Sequence, residues 1–263
     1  MDLQLTDKTA LVTGGTAGIG LEIARALARE GAHVTITGRD QARLDAAIAD
    51  IRASGGNAVR GIAADAATAE GANAIAAAAP TVDILVNNLG IYESKSFADI
   101  ADEDWTRLFD VNVMSGVRLS RAYLQGMLDR DWGRIIFIAS ESGLMIPPDM
   151  IHYGMTKTAQ LAVARGLAQL TRGTRVTVNS VLPGPTRAAG IVDFLRSQAS
   201  DPDAPVEQLE TEFFATARAS SLIQRMLDPA EVADLVAYVA SPRSSATNGA
   251  ALRAEGGLVN HIA

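Results

Sequence analysis

No cysteine occurs in the 263 residues. A disulfide framework and a thiolate metal site are both excluded by that absence. Histidine is scarce as well. His33, His152 and His261 are too scattered to suggest an imidazole site, so no metal is expected. Positive charge is in the minority, with 23 Lys and Arg against 30 Asp and Glu and a formal net charge of −7. Such a balance argues against general nucleic-acid binding and leaves any bound phosphate to be met by local groups. The N-terminus, Met1-Asp2-Leu3-Gln4, lacks the basic-then-apolar pattern of an export signal. No apolar run approaches the ~20 residues that span a bilayer. The expectation is a soluble cytoplasmic protein that engages neither membrane nor nucleic acid.

Apolar residues make up 48% of the chain, enough for a sizeable core. Strand-like runs at 9–13, 33–37, 58–63, 84–86, 133–139, 175–182 and 250–253 alternate with helical patterns at 18–30, 41–53, 67–79, 102–128 and 152–170. Repeated strand–helix units predict an α/β fold, one domain over 1–263, with a parallel sheet of about seven strands and helices on both faces. Asp102 is a plausible cap for the longest helix. Residues 183–227 break the alternation. They are rich in Pro, Ser, Asp and Ala and only weakly helical, which suits a substrate lid or a passive surface insertion. A helix start returns at Asp228-Pro229-Ala230-Glu231, a capping box with proline at the first helical position.

The chain is organised around Thr13-Gly14-Gly15-Thr16-Ala17-Gly18-Ile19-Gly20. A strand precedes this glycine-rich turn and a helix follows it. Glycines let the backbone come close to a ligand, and the free N–H groups of the helix then face an anion. That context points to a dinucleotide phosphate site. At the end of the second strand, an acid serves a ribose 2′-hydroxyl and arginine a 2′-phosphate. Here the chain reads Thr37-Gly38-Arg39-Asp40. Arg39 favours NADP(H), since its guanidinium forks onto phosphate. NAD(H) stays open, because Asp40 can pair with Arg39 or accept a ribose hydroxyl itself.

Tyr153 and Lys157 lie four residues apart in a helical pattern and so share one face. A free phenol titrates near ~10, and an adjacent ammonium lowers that value. The pair can then pass a proton to or from a carbonyl or alcohol oxygen. Ser140 closes the Ile135-Ile136-Phe137-Ile138 strand. In a doubly wound sheet that end collects ligands, and its hydroxyl can donate to a developing oxyanion.

Taken together, these residues resemble the classical short-chain dehydrogenases/reductases over essentially the whole length. The resemblance is carried by Thr13 to Gly20, Asp65, Asn87-Asn88-Leu89-Gly90, Asn112, Ser140, Tyr153 with Lys157, and Pro183-Gly184. It implies a Rossmann-type fold and hydride transfer at a nicotinamide. Tyr153 would be the general acid–base and Ser140 would orient the substrate oxygen. Lys157 would hold the nicotinamide ribose and lower the tyrosine pKa, and Asn112 would support a water relay. The dinucleotide would lie on Gly14, Thr16, Gly18, Ile19, Gly20, Arg39, Asp65, Asn88, Gly90, Lys157, Pro183, Gly184 and Thr186. Asp65 would contact the adenine, with Asn88 and Gly90 on the adenosine side. Departures from the family pattern are Leu89 for alanine, Ala188 for threonine, Glu255 for aspartate, and Glu141 directly after Ser140.

The expected activity is an NADPH-dependent carbonyl reductase, reversible as an alcohol dehydrogenase. Leu144, Met145, Ile146 and Met150 are candidates for an apolar substrate pocket. The alternative is an NAD-dependent dehydrogenase of a polyol, hydroxysteroid or dihydrodiol. An inactive dinucleotide sensor is a further reading. The family also suggests a homotetramer or homodimer built through 102–128 and 152–170.

Overall fold

The β-branched runs become a seven-stranded parallel sheet in the computed structural model, which describes residues 1–56, 58–188 and 190–262. Its strands are β1 (Thr9–Val12), β2 (His33–Gly38), β3 (Val59–Ala63), β4 (Ile84–Asn87), β5 (Gly133–Ile138), β6 (Val176–Pro183) and β7 (Ala251–Ala254). They lie in the order β3-β2-β1-β4-β5-β6-β7, all parallel. The helices are α1 (Gly18–Arg29), α2 (Gln41–Ala53), α3 (Ala69–Ala78), α4 (Asp102–Phe109), α5 (Ser115–Asp129), α6 (Ile151–Leu170), α7 (Ile191–Gln198), α8 (Val206–Ala215) and α9 (Pro229–Ala240).

Successive strand side chains point to opposite faces. On β5, Ile136 and Ile138 join the core under α1, α2 and α9, with Ile23, Leu27, Leu44 and Val236. Ile135 and Phe137 join the other core, with Ile75 of α3, Leu119 and Tyr123 of α5, and Ala164 of α6. A strand covered on both sides has no polar face, which is why this run reads as continuously apolar. The Phe137 ring fits because residue 116 is glycine; a Cβ there would lie 2.6 Å from the ring.

The helix expected over 102–128 is three pieces. α4 ends at Phe109, a single π-helical turn spans Asp110–Met114, and α5 follows. The turn buries Asn112 and Val113. Such bulges concentrate at functional sites and leave no mark on a hydrophobic period. Asp102 is not the cap. Ala101 holds that position, and Asp104 accepts the Ala101 N–H at 3.3 Å.

Residues 183–227 hold more structure than their composition suggests. α7 and α8 bury Leu195, Leu209, Phe213 and Phe214 together with Met226 in a small core of their own. The two helices are short, eight and ten residues. The box before α9 forms: Ala230 N donates to Asp228 Oδ1 at 2.8 Å, and Asp228 N to Glu231 Oε2 at 2.9 Å. Among the described residues no helix is long and apolar enough to cross a membrane.

Candidate active site

The chain leaves β1 towards β2 and β3, then returns to β4 on the other side of β1. Loops at the carboxyl ends of β1 and β4 diverge there and open a crevice, the usual ligand position in such a sheet. Thr13 ties the two loops together. Its Oγ1 accepts from Asn88 N at 2.9 Å and Leu89 N at 3.0 Å, while Asn88 Nδ2 donates to Thr13 O at 2.9 Å. Gly18 adopts φ +55°, and a Cβ on Gly20 would lie 2.4 Å from both Asn88 Nδ2 and Gly14 O. Ala17 gives α1 no side-chain cap. Its first-turn N–H groups are therefore free for an anion. This cradle fits the diphosphate of a dinucleotide.

A cleft beside the loop is lined by Gly14, Thr16, Gly38, Arg39, Arg43, Asp65 and Leu89. Asp40 does not pair with Arg39. Its Oδ1 accepts from Arg43 N at 2.8 Å and caps α2. Arg39 instead stands exposed, with Nη1 4.0 Å from Asp65 Oδ2. Asp65 also accepts from Ala67 N at 3.0 Å. Arg43 is a second guanidinium on this cleft that the sequence reading missed. Its place one turn into the helix after β2 was the available signal.

A second cleft, continuous with the crevice, gathers Ile19, Asn88, Gly90, Ser140, Tyr153, Lys157, Pro183, Gly184 and Thr186. Asn88 and Gly90, expected on the adenosine side, line the same cleft as Ser140 and Tyr153. Leu89 lines the cleft with Arg39 and packs partly into the core. Ser140 follows β5 and caps a short 3-10 turn, accepting from Ser142 N at 3.1 Å. Tyr153 sits in the first turn of α6 and lines the cleft with Ser140. One turn on, Lys157 donates to Ile138 O at 3.0 Å. Thr186 Oγ1 donates to Gly184 O at 2.8 Å.

Burial lowers Lys157 to about 7, opposed by the Glu141 carboxylate. The tyrosine moves the other way from the expectation. Burial pushes the Tyr153 phenol up, and the negative charge of Glu141 adds to this, while the neighbouring Ser140 hydroxyl pulls it down.

Asn112 is fully buried. Its side chain accepts from Ile91 N at 2.8 Å and donates to Ile91 O and Thr156 Oγ1, each at 2.9 Å. Gln160 Nε2 donates to Asn112 O at 2.7 Å. These bonds fix the loop after β4 against α6, and Asn112 has no direct hydrogen bond to Lys157. Of the expected pocket residues, only Met150 lines the cleft. Leu144, Met145 and Ile146 do not. Ile146 packs over Gly154 and is half exposed. The chain leaves the cleft after the turn at Glu141–Gly143 and returns at Met150. The wall is built instead by Tyr92, Ile191, Phe194 and Phe213, with Glu141 and Arg218 between them. Tyr92 stacks edge-on to both Tyr153 and Phe194. These residues come from the loop after β4, from α7 and from α8, far apart in sequence, so no local pattern announces them.

Comparison with known proteins agrees with this geometry. The short chain dehydrogenase family model matches residues 8–199. An uncharacterized oxidoreductase, YvaG, of Bacillus subtilis (strain 168) is 49% identical over 263 residues, covering 100% of both chains. The D-beta-hydroxybutyrate dehydrogenase of Cupriavidus necator is 34% identical, covering 97% of this chain and 99% of its own. Among solved structures, L-sorbose reductase of Gluconobacter frateurii, complexed with NADPH and L-sorbose, superposes with a TM-score of 0.92 at 29% identity over 100% of both chains.

Proposed function

The chain belongs to the short-chain dehydrogenase family and is an NAD(P)-dependent oxidoreductase, and from that premise we propose that it moves hydride between NADP(H) and a carbonyl or secondary-alcohol carbon. The observation that carries the proposal is the meeting of Ser140, Tyr153 and Lys157 at the mouth of the glycine cradle. When bound, the nicotinamide supplies or accepts the hydride at its C4. Gly14, Gly18, Ile19 and Gly20 hold the diphosphate against the start of α1. Arg39 and Arg43 take the 2′-phosphate, with Thr16 and Asp65 beside the adenosine. Asn88, Gly90, Pro183, Gly184 and Thr186 frame the nicotinamide, and Lys157 holds its ribose. NADPH is the form named for the sorbose reductase relative, which supports the choice.

Tyr153 is the general acid–base. Its phenol lines the cleft beside Ser140, where it can pass a proton to or from the oxygen of a ketone or alcohol. Ser140 orients that oxygen when its hydroxyl turns from Glu141 Oε2 to the substrate, and Asn112 keeps the loop after β4 in register with α6. Residues 183–227 act as a lid within a single domain, excluding water from the cleft. The assembly is a homotetramer or homodimer through residues 102–128 and 152–170. Tyr153→Phe tests the mechanism. Turnover of a ketone panel should fall by about 10²–10⁴ while NADPH still quenches or enhances fluorescence as in the wild type. A mutant that reduces ketones normally sinks the proposal.

A further inference from the structure

The reaction as described leaves one buried carboxylate without a task. Glu141 follows Ser140 and is 5% exposed. Its Oε2 accepts the Ser140 hydroxyl hydrogen, and its Oε1 accepts from Ser142 Oγ at 3.1 Å. Arg218, from the lid, brings Nε to 3.6 Å from Glu141 Oε1. That separation is too long for a hydrogen bond. The guanidinium is held in place by the Phe213 ring, 5.3 Å away, and by a bond from Nη1 to Ala217 O at 2.9 Å. Nε and Nη2 make no hydrogen bond among the described residues. Both charged groups line the cleft that holds Ser140 and Tyr153.

A carboxylate offers about four acceptor positions, of which two are used here. Removing charge from water is costly unless the remaining positions find partners. The site therefore presents an unfilled acceptor and unfilled donors, side by side, next to the reacting oxygen. On the hydride-transfer reading above, we propose that Glu141 and Arg218 recognise a second oxygen of the substrate, a hydroxyl on a carbon adjacent to the reacting one or one further along. The substrate class is then hydroxyketones and the diols or polyols they form, and not simple ketones. A hydroxyl both donates and accepts. It gives its hydrogen to Glu141 Oε1 and takes one from Arg218. An ether or second carbonyl leaves Glu141 unfilled, and a carboxylate meets its negative charge. The nearness of the two oxygens follows from Glu141 bonding Ser140 directly. Tyr92, Phe194 and Ile191 enclose the carbon skeleton.

The test compares kcat/KM with NADPH for matched pairs, 2-butanone against 3-hydroxy-2-butanone and cyclohexanone against 2-hydroxycyclohexanone. The enzymes are the wild type, Glu141→Gln and Arg218→Met. Wild type should prefer the hydroxylated member by about tenfold or more, as hydrogen bonds to charged groups and unpaired site groups dictate. Each substitution should bring that ratio towards one. A purely structural role would depress both members alike and keep the ratio. NADPH titration identifies folded variants; if Glu141→Gln does not bind, the lid variant Arg218→Met decides. A ratio near one in the wild type, or one unchanged in the folded variants, overturns the proposal. Turnover of the plain ketones sustains the hydride-transfer reading whatever the ratio, so the two failures are told apart.

Discussion

Lys157 makes the stability of the dinucleotide-free protein depend on pH in a direction few other groups share. Unfolded, it holds its proton to its ordinary value of 10.5; folded, burial brings it to about 7. Between those values the unfolded chain binds the extra proton, so stability rises with pH. A penalty present at pH 7 and below is relieved as the pH climbs. Each tenfold change in proton affinity is worth about 1.4 kcal/mol, so the ceiling from pH 7 to 9.5 is about 3 kcal/mol. Water entering beside a buried ammonium reduces this to about 2 kcal/mol. Lys157→Met removes the titration and keeps most of the volume. Other titrating groups cancel when the mutant is subtracted from the wild type. The window stays below the ~10 at which unfolded tyrosines begin to ionise. Urea unfolding of both proteins without dinucleotide, at equal protomer concentration, measures the difference at pH 7 and 9.5. The mutant should be the more stable at pH 7, with the gap closing by about 2 kcal/mol, or about 4–8 °C in Tm. Parallel pH dependence of the two proteins would refute the argument that Lys157 is desolvated in the folded state.

Arg39→Asp should reverse the preference for NADPH over NADH. Arg43→Ala should weaken NADPH by about tenfold while sparing NADH, since a charge-assisted bond to phosphate is lost; equal losses for both dinucleotides would remove Arg43 from the 2′ site. Thr13→Val keeps the shape of the side chain but strips the acceptor from Asn88 N and Leu89 N. Two N–H groups left unpaired should cost about 2–4 kcal/mol in urea unfolding, and a loss under 0.5 kcal/mol would show that water replaces the hydroxyl.

Some of this protein was legible in the residue order because the physics involved is local. The glycines at 14 and 18 answer to positive backbone angles at their own positions. Tyr153 and Lys157 answer to the helical repeat, and Asp228 to Glu231 answer to a cap closed within one turn. Even local rules failed where the chain departs from a regular helix. The π-turn at Asp110–Met114 carries Asn112 inward without altering the amphipathic pattern around it. Leu144, Met145 and Ile146 looked like pocket residues because they are apolar and near Ser140 in sequence, yet the intervening turn takes them elsewhere.

What the sequence determined alone is the alternation of elements, the apolar strands and the positions of the phosphate cradle and proton-transfer pair. Each rests on contacts between near neighbours along the chain. Tertiary structure decided how those groups behave. Burial under several loops raises the phenol of Tyr153 and lowers Lys157, against the expectation drawn from their spacing. Only folding brings Arg218 from beyond α8 to Glu141, and Tyr92, Phe194 and Phe213 into one wall. Desolvation and long-range charge depend on what surrounds a side chain in space, and residue order does not state that.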